Sequence, residues 1–123
     1  MSDSNKQVGA KGEEFATRYL EREGVEVIER NWSCKAGEAD IIARDDDALV
    51  FVEVKTRRSM QTGFPEEAVT QAKRRRYEKI AAYYLSQKQT ASTRVRFDVI
   101  SIMLTGEQQA FLKHHRDVFA CGE

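Results

Sequence analysis

Near the start of the chain, apolar positions recur at helical spacing. Phe15, Ala16, Tyr19 and Leu20 form one stripe within residues 8–23, and Gly24 follows where a helix commonly ends, so this segment is predicted to be a helix. Glu13 precedes Ala16 by three positions and Leu20 by seven, which puts an acid on or beside the buried face, while Glu14 can pair outward with Arg18. Residues 25–32 read as a first strand and 33–37 as a turn. Two further apolar segments, 39–45 and 48–56, read as strands joined by Asp46 and Asp47, a two-residue hairpin loop. A loop is expected over 59–64, with Gly63 and Pro65 as punctuation. Pro65 can start a second helix running to about Gln87, with Glu66 and Glu67 in the first turn, where acids are favoured. Val69, Tyr77, Ile80 and Tyr84 form its apolar stripe, and Lys73 lies on the same stripe. Residues 94–104 alternate through Val95, Phe97 and Val99 as a fourth strand. A turn at 105–109 leads into 110–119, which can hold a short fifth strand and a ragged end.

The order is helix, three strands, helix, strand and one more short strand. The hairpin strands are apolar on both faces, which predicts an α/β (α+β) domain whose mixed central sheet is covered by helices on both sides. A chain of 123 residues fits one domain with one core. That domain is placed at 8–119, between a disordered N-terminal tail at 1–7 and a C-terminal tail at 120–123.

Against this apolar pattern, the hairpin carries three unexpected charges: Asp40, Glu53 and Lys55. If Asp46 and Asp47 form the loop, Asp45 pairs with Ala48, Ile41 faces Val52, and Asp40 lies opposite Glu53. Side chains alternate with period two, so Lys55 shares a face with Glu53. Opposed carboxylates repel, and a divalent cation between them would turn repulsion into attraction. A one-residue change of register would send Asp40 to the other face. The competing reading is a cross-strand cluster in which Lys55 balances the two acids.

Charge and composition narrow the classes of function. Lys plus Arg and Asp plus Glu number 20 each, so the net charge is zero and the chain is not a simple polycation. The positive charge is clumped, however, at Lys55, Arg57 and Arg58 and again at Lys73, Arg74, Arg75 and Arg76. That second run is either a solvated helix face or a phosphate-binding patch. Cys34 and Cys121 make neither a disulfide framework nor a zinc cluster, so a reducing cytoplasm is the expected compartment. The longest apolar run, 80–85, is too short to span a membrane, and the polar start is not expected to act as a secretory signal. The adjacent His114 and His115 are poorly spaced as ligands and are expected at the surface, and Tyr77, Tyr83 and Tyr84 are expected in packing.

Asp40 with Glu53-Val54-Lys55 resembles the PD-(D/E)xK nuclease superfamily. Gly12-Glu13, Glu29-Arg30-Asn31-Trp32, Gly37-Glu38-x-Asp40, Phe51-Val52-Glu53-Val54-Lys55-Thr56-Arg57 and Arg96-Phe97-Asp98-Val99 narrow the resemblance to the bacterial YraN (UPF0102) family. Its members are described as endonuclease-like and similar to archaeal Holliday-junction resolvases. The resemblance implies a restriction-endonuclease-like core and, residue by residue, a catalytic set of Glu13, Asp40, Glu53 and Lys55. Asp40 and Glu53 match the metal-binding acids, Lys55 the lysine that assists the attacking water, and Glu13 a first-helix acid of the resolvase-like branch. Ala39 stands where the superfamily name has proline, a position that carries no ligand atom. Related nucleases often supply a Gln or Lys from the second helix; Gln71 and Lys73 both qualify, and Lys73 is favoured.

The resemblance implies a metal-dependent DNA endonuclease using Mg2+ or Mn2+, acting on branched or damaged DNA, with a homodimer suited to a two-fold junction. Arg57, Arg58, Lys73, Arg74, Arg75 and Arg76 would hold backbone phosphates. Lys55 could position water, accept a proton or balance phosphate charge. Two other readings stand beside this one: a non-catalytic nucleic-acid-binding module that keeps the nuclease fold, and a partner-binding protein with no nucleic-acid role.

Overall fold

A computed structural model describes residues 5–58, 70–88, 94–106 and 108–119. The elements run α1 (Asn5–Arg22), β1 (Glu26–Cys34), β2 (Gly37–Asp45), β3 (Ala48–Arg57), α2 (Gln71–Lys88), β4 (Arg94–Leu104) and β5 (Ala110–His115). This is the expected α+β order. The five strands lie in the sheet in chain order; β3 and β4 are parallel and every other neighbouring pair is antiparallel. The β2–β3 register is the one spacing predicts, with Asp45 opposite Ala48 and Ile41 opposite Val52 around a two-residue turn.

Each face of the sheet has its own apolar layer. Ile41, Val50, Val52, Ile100 and Ile102 pack with Ala16 and Leu20 of α1. Ile42, Leu49 and Phe51 pack on the other face with Tyr77, Ile80 and Tyr84 of α2. Burying side chains of this size stabilises the fold by about 1.5–3 kcal/mol each before the entropy of ordering them is counted. β3 is covered on both sides, which explains its continuous apolar run from Ala48 to Val52.

The helix ends follow local chemistry. α1 begins three residues before the expected start, so residues 5–7 form its first turn; the remainder of the expected tails, 1–4 and 120–123, lies outside the described residues. At its other end Gly24 takes a positive φ of 84°, and the Val25 N–H reaches back to the Leu20 carbonyl at 2.9 Å. Within the described residues α2 begins at Gln71. Thr70 supplies the start signal, because its Oγ1 accepts the Lys73 N–H at 3.0 Å. The expected loop and first turn, with Gly63, Pro65, Glu66, Glu67 and Val69, lie outside the described residues.

One close approach fixes how α1 meets the sheet. A Cβ at Gly12 would collide with Thr56 Oγ1 and lie 2.8 Å from Thr56 Cβ and Cγ2. Only glycine lets the helix approach β3 this closely, and the approach carries the adjacent Glu13 to the sheet. No described helix is long and apolar enough to cross a membrane.

Candidate functional site

The sheet is irregular where the charged residues gather. The β1–β2 ladder steps from Arg30 opposite Ile41 to Trp32 opposite Ala39, passing over Asn31 and Asp40. Asn31 adopts a left-handed φ of 52°. Side-chain alternation also breaks here. Ile41 packs on the α1 side, whereas Ala39 joins Ile42 on the α2 side. The β2–β3 ladder ends at Ile41 and Val52, short of the expected pairing of Asp40 with Glu53. Asp40 turns toward β3, and its Oδ2 accepts the Val54 N–H at 2.8 Å. The carboxylate thus takes the place of a main-chain acceptor where the two strands part.

This fork lets groups from both faces of the sheet approach each other. Asp40 is raised from the ordinary carboxylate value to about 6, chiefly by burial, against the lowering effect of the Val54 N–H; Glu13, Glu53 and Glu38 raise it further. Glu13 is also raised, first by burial, with a hydrogen bond from Asn31 and the charge of Arg30 acting in the opposite direction and Glu38 adding to the rise. Glu38 is an acid to which sequence reasoning gives no role. Asn31 likewise carries no signal beyond its place in a motif, although its unusual backbone places a donor for Glu13. The Tyr77 phenol is pushed up by burial and then by Glu53 and Asp40, so it stays protonated beside the acids.

Glu53 projects to the α2 side and meets Lys73. The Lys73 Nζ lies 3.0 Å from Oε1 and donates to Oε2 at 3.3 Å, with both side chains less than a fifth exposed. Oε1 is buried with the Lys73 ammonium as its close neighbour, in a geometry poorly aligned for a hydrogen bond. Lys55 is half-buried on β3, opposite Ser101 of β4 and two positions after Glu53. Gln71 is exposed at the start of α2.

The basic residues do not form one continuous face. Arg57 is exposed at the end of β3, and Arg58 is half-buried just beyond it. Arg74 pairs with Glu78 at 3.3 Å and lies over the Phe119 ring, 6.0 Å from its centroid. Arg75 is exposed. Arg76 lies over Tyr77 and runs past Gly37, where an added Cβ would be 3.5 Å from its Cδ. Lys73 and Arg76 therefore flank the fork from α2, and Arg57 extends beyond Lys55.

A second polar cluster lies on the α1 face toward the hairpin end of the sheet. Asp98 is 2% exposed. Its Oδ1 and Oδ2 each accept a bond from Arg96 at 3.0 Å, and Oδ1 also takes the Asp117 N–H at 2.9 Å. Arg96 bridges to Asp45 at 3.0 Å, while His114 joins Asp98 Oδ2 and the Tyr19 hydroxyl, each at 2.8 Å. Burial alone would raise Asp98; the bonds from His114, Arg96 and Asp117, with the charge of Arg96, outweigh it and hold the group below the ordinary value. The expectation of a surface His114 is therefore corrected: its side chain is only 5% exposed. Its partners come from α1 and β4, which no local spacing discloses.

The donor set fits a hard cation. Asp40 and Glu53 offer carboxylate oxygens, Asp40 carries repulsion that the Val54 N–H offsets only in part, and Glu53 Oε1 lies beside the Lys73 ammonium without a well-aligned hydrogen bond. Among the described residues no three acid, imidazole or thiol side chains form a ready cage. Magnesium does not require one, because one or two carboxylates with water and phosphate oxygens commonly complete its shell.

The relatives of the chain extend over nearly its full length. A UPF0102 protein of Rhodococcus opacus is 48% identical over 115 residues, covering 94% of this chain and 98% of the relative. Those of Beutenbergia cavernae and Geobacter metallireducens are each 48% identical, covering 90% and 87% of this chain and 94% and 88% of their own. The model of the family described as "Uncharacterised protein family UPF0102" matches residues 12–102, from the glycine under Thr56 into β4, and the chain belongs to that family.

Proposed function

We propose that the protein is a metal-dependent DNA endonuclease that hydrolyses phosphodiester bonds at the fork between β2 and β3. The observation that carries this reading is Asp40: a half-buried carboxylate raised to about 6 among other acids, with Glu53 beside it. The Val54 N–H offsets only part of the burial and of the charges of Glu13, Glu53 and Glu38, and a bound cation would offset the rest. Asp40 and Glu53 would hold Mg2+ or Mn2+. When bound, such an ion supplies Lewis acidity toward a phosphate oxygen and lowers the pKa of its water. Glu13, held by Asn31, orients a water at the α1 side of the fork. Lys55 lies on the β3 edge of the site, where an ammonium can orient the attacking water and balance phosphate charge. Arg57, Arg58, Lys73, Arg75 and Arg76 bind the backbone on either side, a contribution independent of base sequence. A branched or damaged DNA is the substrate class this reading takes from the nuclease resemblance, with a homodimer matching a two-fold junction.

The test is a panel of labelled single-stranded, duplex, flap and four-way-junction DNA. Each is incubated with Mg2+, Mn2+ or chelator, for wild type beside Glu53→Gln. Metal-dependent cutting by wild type and none by the variant is expected. One observation favours a second reading, a DNA-binding module without catalysis: the ammonium of Lys73 already sits on Glu53. Junction binding by folded protein, with no cutting under any metal, would favour that reading.

A further inference from the structure

The Lys73–Glu53 pair has an unusual placement. Lys73 is in the first turn of α2, which contains no acid, and the positive end of a helix disfavours a cation. The local cost is offset by Glu53, whose two oxygens lie 3.0 and 3.3 Å from the ammonium. The fit is incomplete, since Oε1 has the charge of Lys73 beside it but no hydrogen bond from the described residues. Thr70 fixes the backbone from which Lys73 extends, and the rotatable four-carbon stem gives the ammonium a second position once another cation takes Glu53. On its inner side the pair borders an apolar pocket lined by Phe51, Tyr77, Phe97 and Val99. Asp98 also lines that pocket, but both of its oxygens are already taken by Arg96, His114 and the Asp117 N–H, so a displaced ammonium finds no uncommitted acceptor there.

We propose that Lys73 is a resident counter-cation for Glu53: it occupies the carboxylate in the metal-free protein, is displaced when a divalent cation binds, and is then released to a DNA phosphate. The proposal rests on the cation site at Asp40 and Glu53, but not on hydrolysis. An ammonium and a dication on one carboxylate repel each other, so the lysine competes with the metal. It also holds the acid cluster together before metal arrives, and it couples metal loading to DNA binding by freeing one positive charge. Lys73 is a positioning residue in this scheme.

The experiment is calorimetric titration of the full chain with Mn2+ alone, at neutral pH, for wild type, Lys73→Met, Lys73→Gln and Lys73→Arg. The two variants that remove the charge are expected to bind Mn2+ about tenfold tighter than wild type. Lys73→Arg keeps a cation and is expected to bind as wild type does. Adding Glu53→Gln to Lys73→Met should abolish the gain. In chelator, Lys73→Met should melt below wild type, and Mn2+ should close the gap. Two charge-removing variants guard against the failure of either to fold. Unchanged or weaker Mn2+ binding in both overturns the proposal, as does an absence of Mn2+ binding in every protein. Tighter binding in the variants without any DNA cleavage supports the counter-cation and removes the nuclease. Cleavage with unchanged Mn2+ affinity does the reverse.

Discussion

Asp40 shows how far one residue can be read from its neighbours. The alternation of β2 and β3 is enough to bring it close to Glu53, because the two-residue turn at Asp46 and Asp47 sets the register. What alternation cannot show is that the strand breaks its own periodicity at Asp40 and passes the carboxylate to the Val54 N–H. Asn31, with its left-handed backbone, lies where the neighbouring ladder is interrupted at the same point. The break has a measurable consequence. A carboxylate raised from 3.8 to about 6 binds its proton more tightly in the folded than in the unfolded chain. Metal-free stability should therefore fall as pH rises from about 4 to 6, by an amount on the order of 3 kcal/mol from this group. Asp40→Asn should remove that fall and leave the metal-free protein more stable at pH 7. Urea denaturation at several pH values in chelator measures both, and a destabilised variant at pH 7 would mean that the carboxylate is structural.

Among the elements, strands are more legible than helix ends. β4 spans its expected residues, and β2 and β3 differ from expectation by two residues or fewer, because alternation and turn residues agree there. The expected start of α2 at Pro65 lies outside the described residues. Within them Thr70 caps the helix, since its hydroxyl meets an N–H that would otherwise lack a partner. Side-chain pairing changes the meaning of the basic run. With Lys73 turned to Glu53 and Arg74 held by Glu78, exposed charge along the run falls to Arg75 and Arg76. Neutralising Arg75 and Arg76 together should therefore reduce the salt slope of duplex binding by about two, at roughly 0.9 for each phosphate no longer neutralised. Neutralising Arg74 alone should change it less. Fluorescence anisotropy across a salt series reads the slopes, and equal slopes for all the proteins would remove α2 from the interface.

For the whole molecule, Asp98 joins parts of the fold that are far apart in sequence. Through Arg96, His114 and Tyr19 it ties the hairpin turn, β4, β5 and α1 into one network. None of this is legible in the Arg96-Phe97-Asp98-Val99 motif, because a motif gives order and not partners. Removing one member of a buried charged network leaves the others uncompensated, so Asp98→Ala should cost about 3–5 kcal/mol. Asp98 also titrates in the opposite sense to Asp40. Its folded pKa lies below 3.8, so its contribution is full above that value and is lost as pH falls through the lower, folded value. From these two groups the metal-free protein should be most stable at mildly acidic pH, between the loss of Asp98 below and the strain of Asp40 above. Thermal melts from pH 3 to 8 test this, and stability that climbs steadily from pH 4 to 7 would contradict it.

The side-by-side order of the strands also orders events in time. β1, β2 and β3 are linked by two short turns and can pair by closing small loops, on the microsecond scale typical of hairpins. The parallel partner β4 must wait for a longer crossover that contains α2. Asp40 and Glu53 belong to the early part, and Lys73 to the late one. On this order the two acids are expected to come together before their lysine arrives. Kinetic φ-values should be high for Ile41→Val, which packs on the α1 side of the meander, and low for Ile80→Val in α2, as measured by stopped-flow refolding. If so, each molecule passes through a brief interval in which its acidic fork is open to any divalent cation in its surroundings, and Mn2+ should raise the refolding rate more than it lowers the unfolding rate.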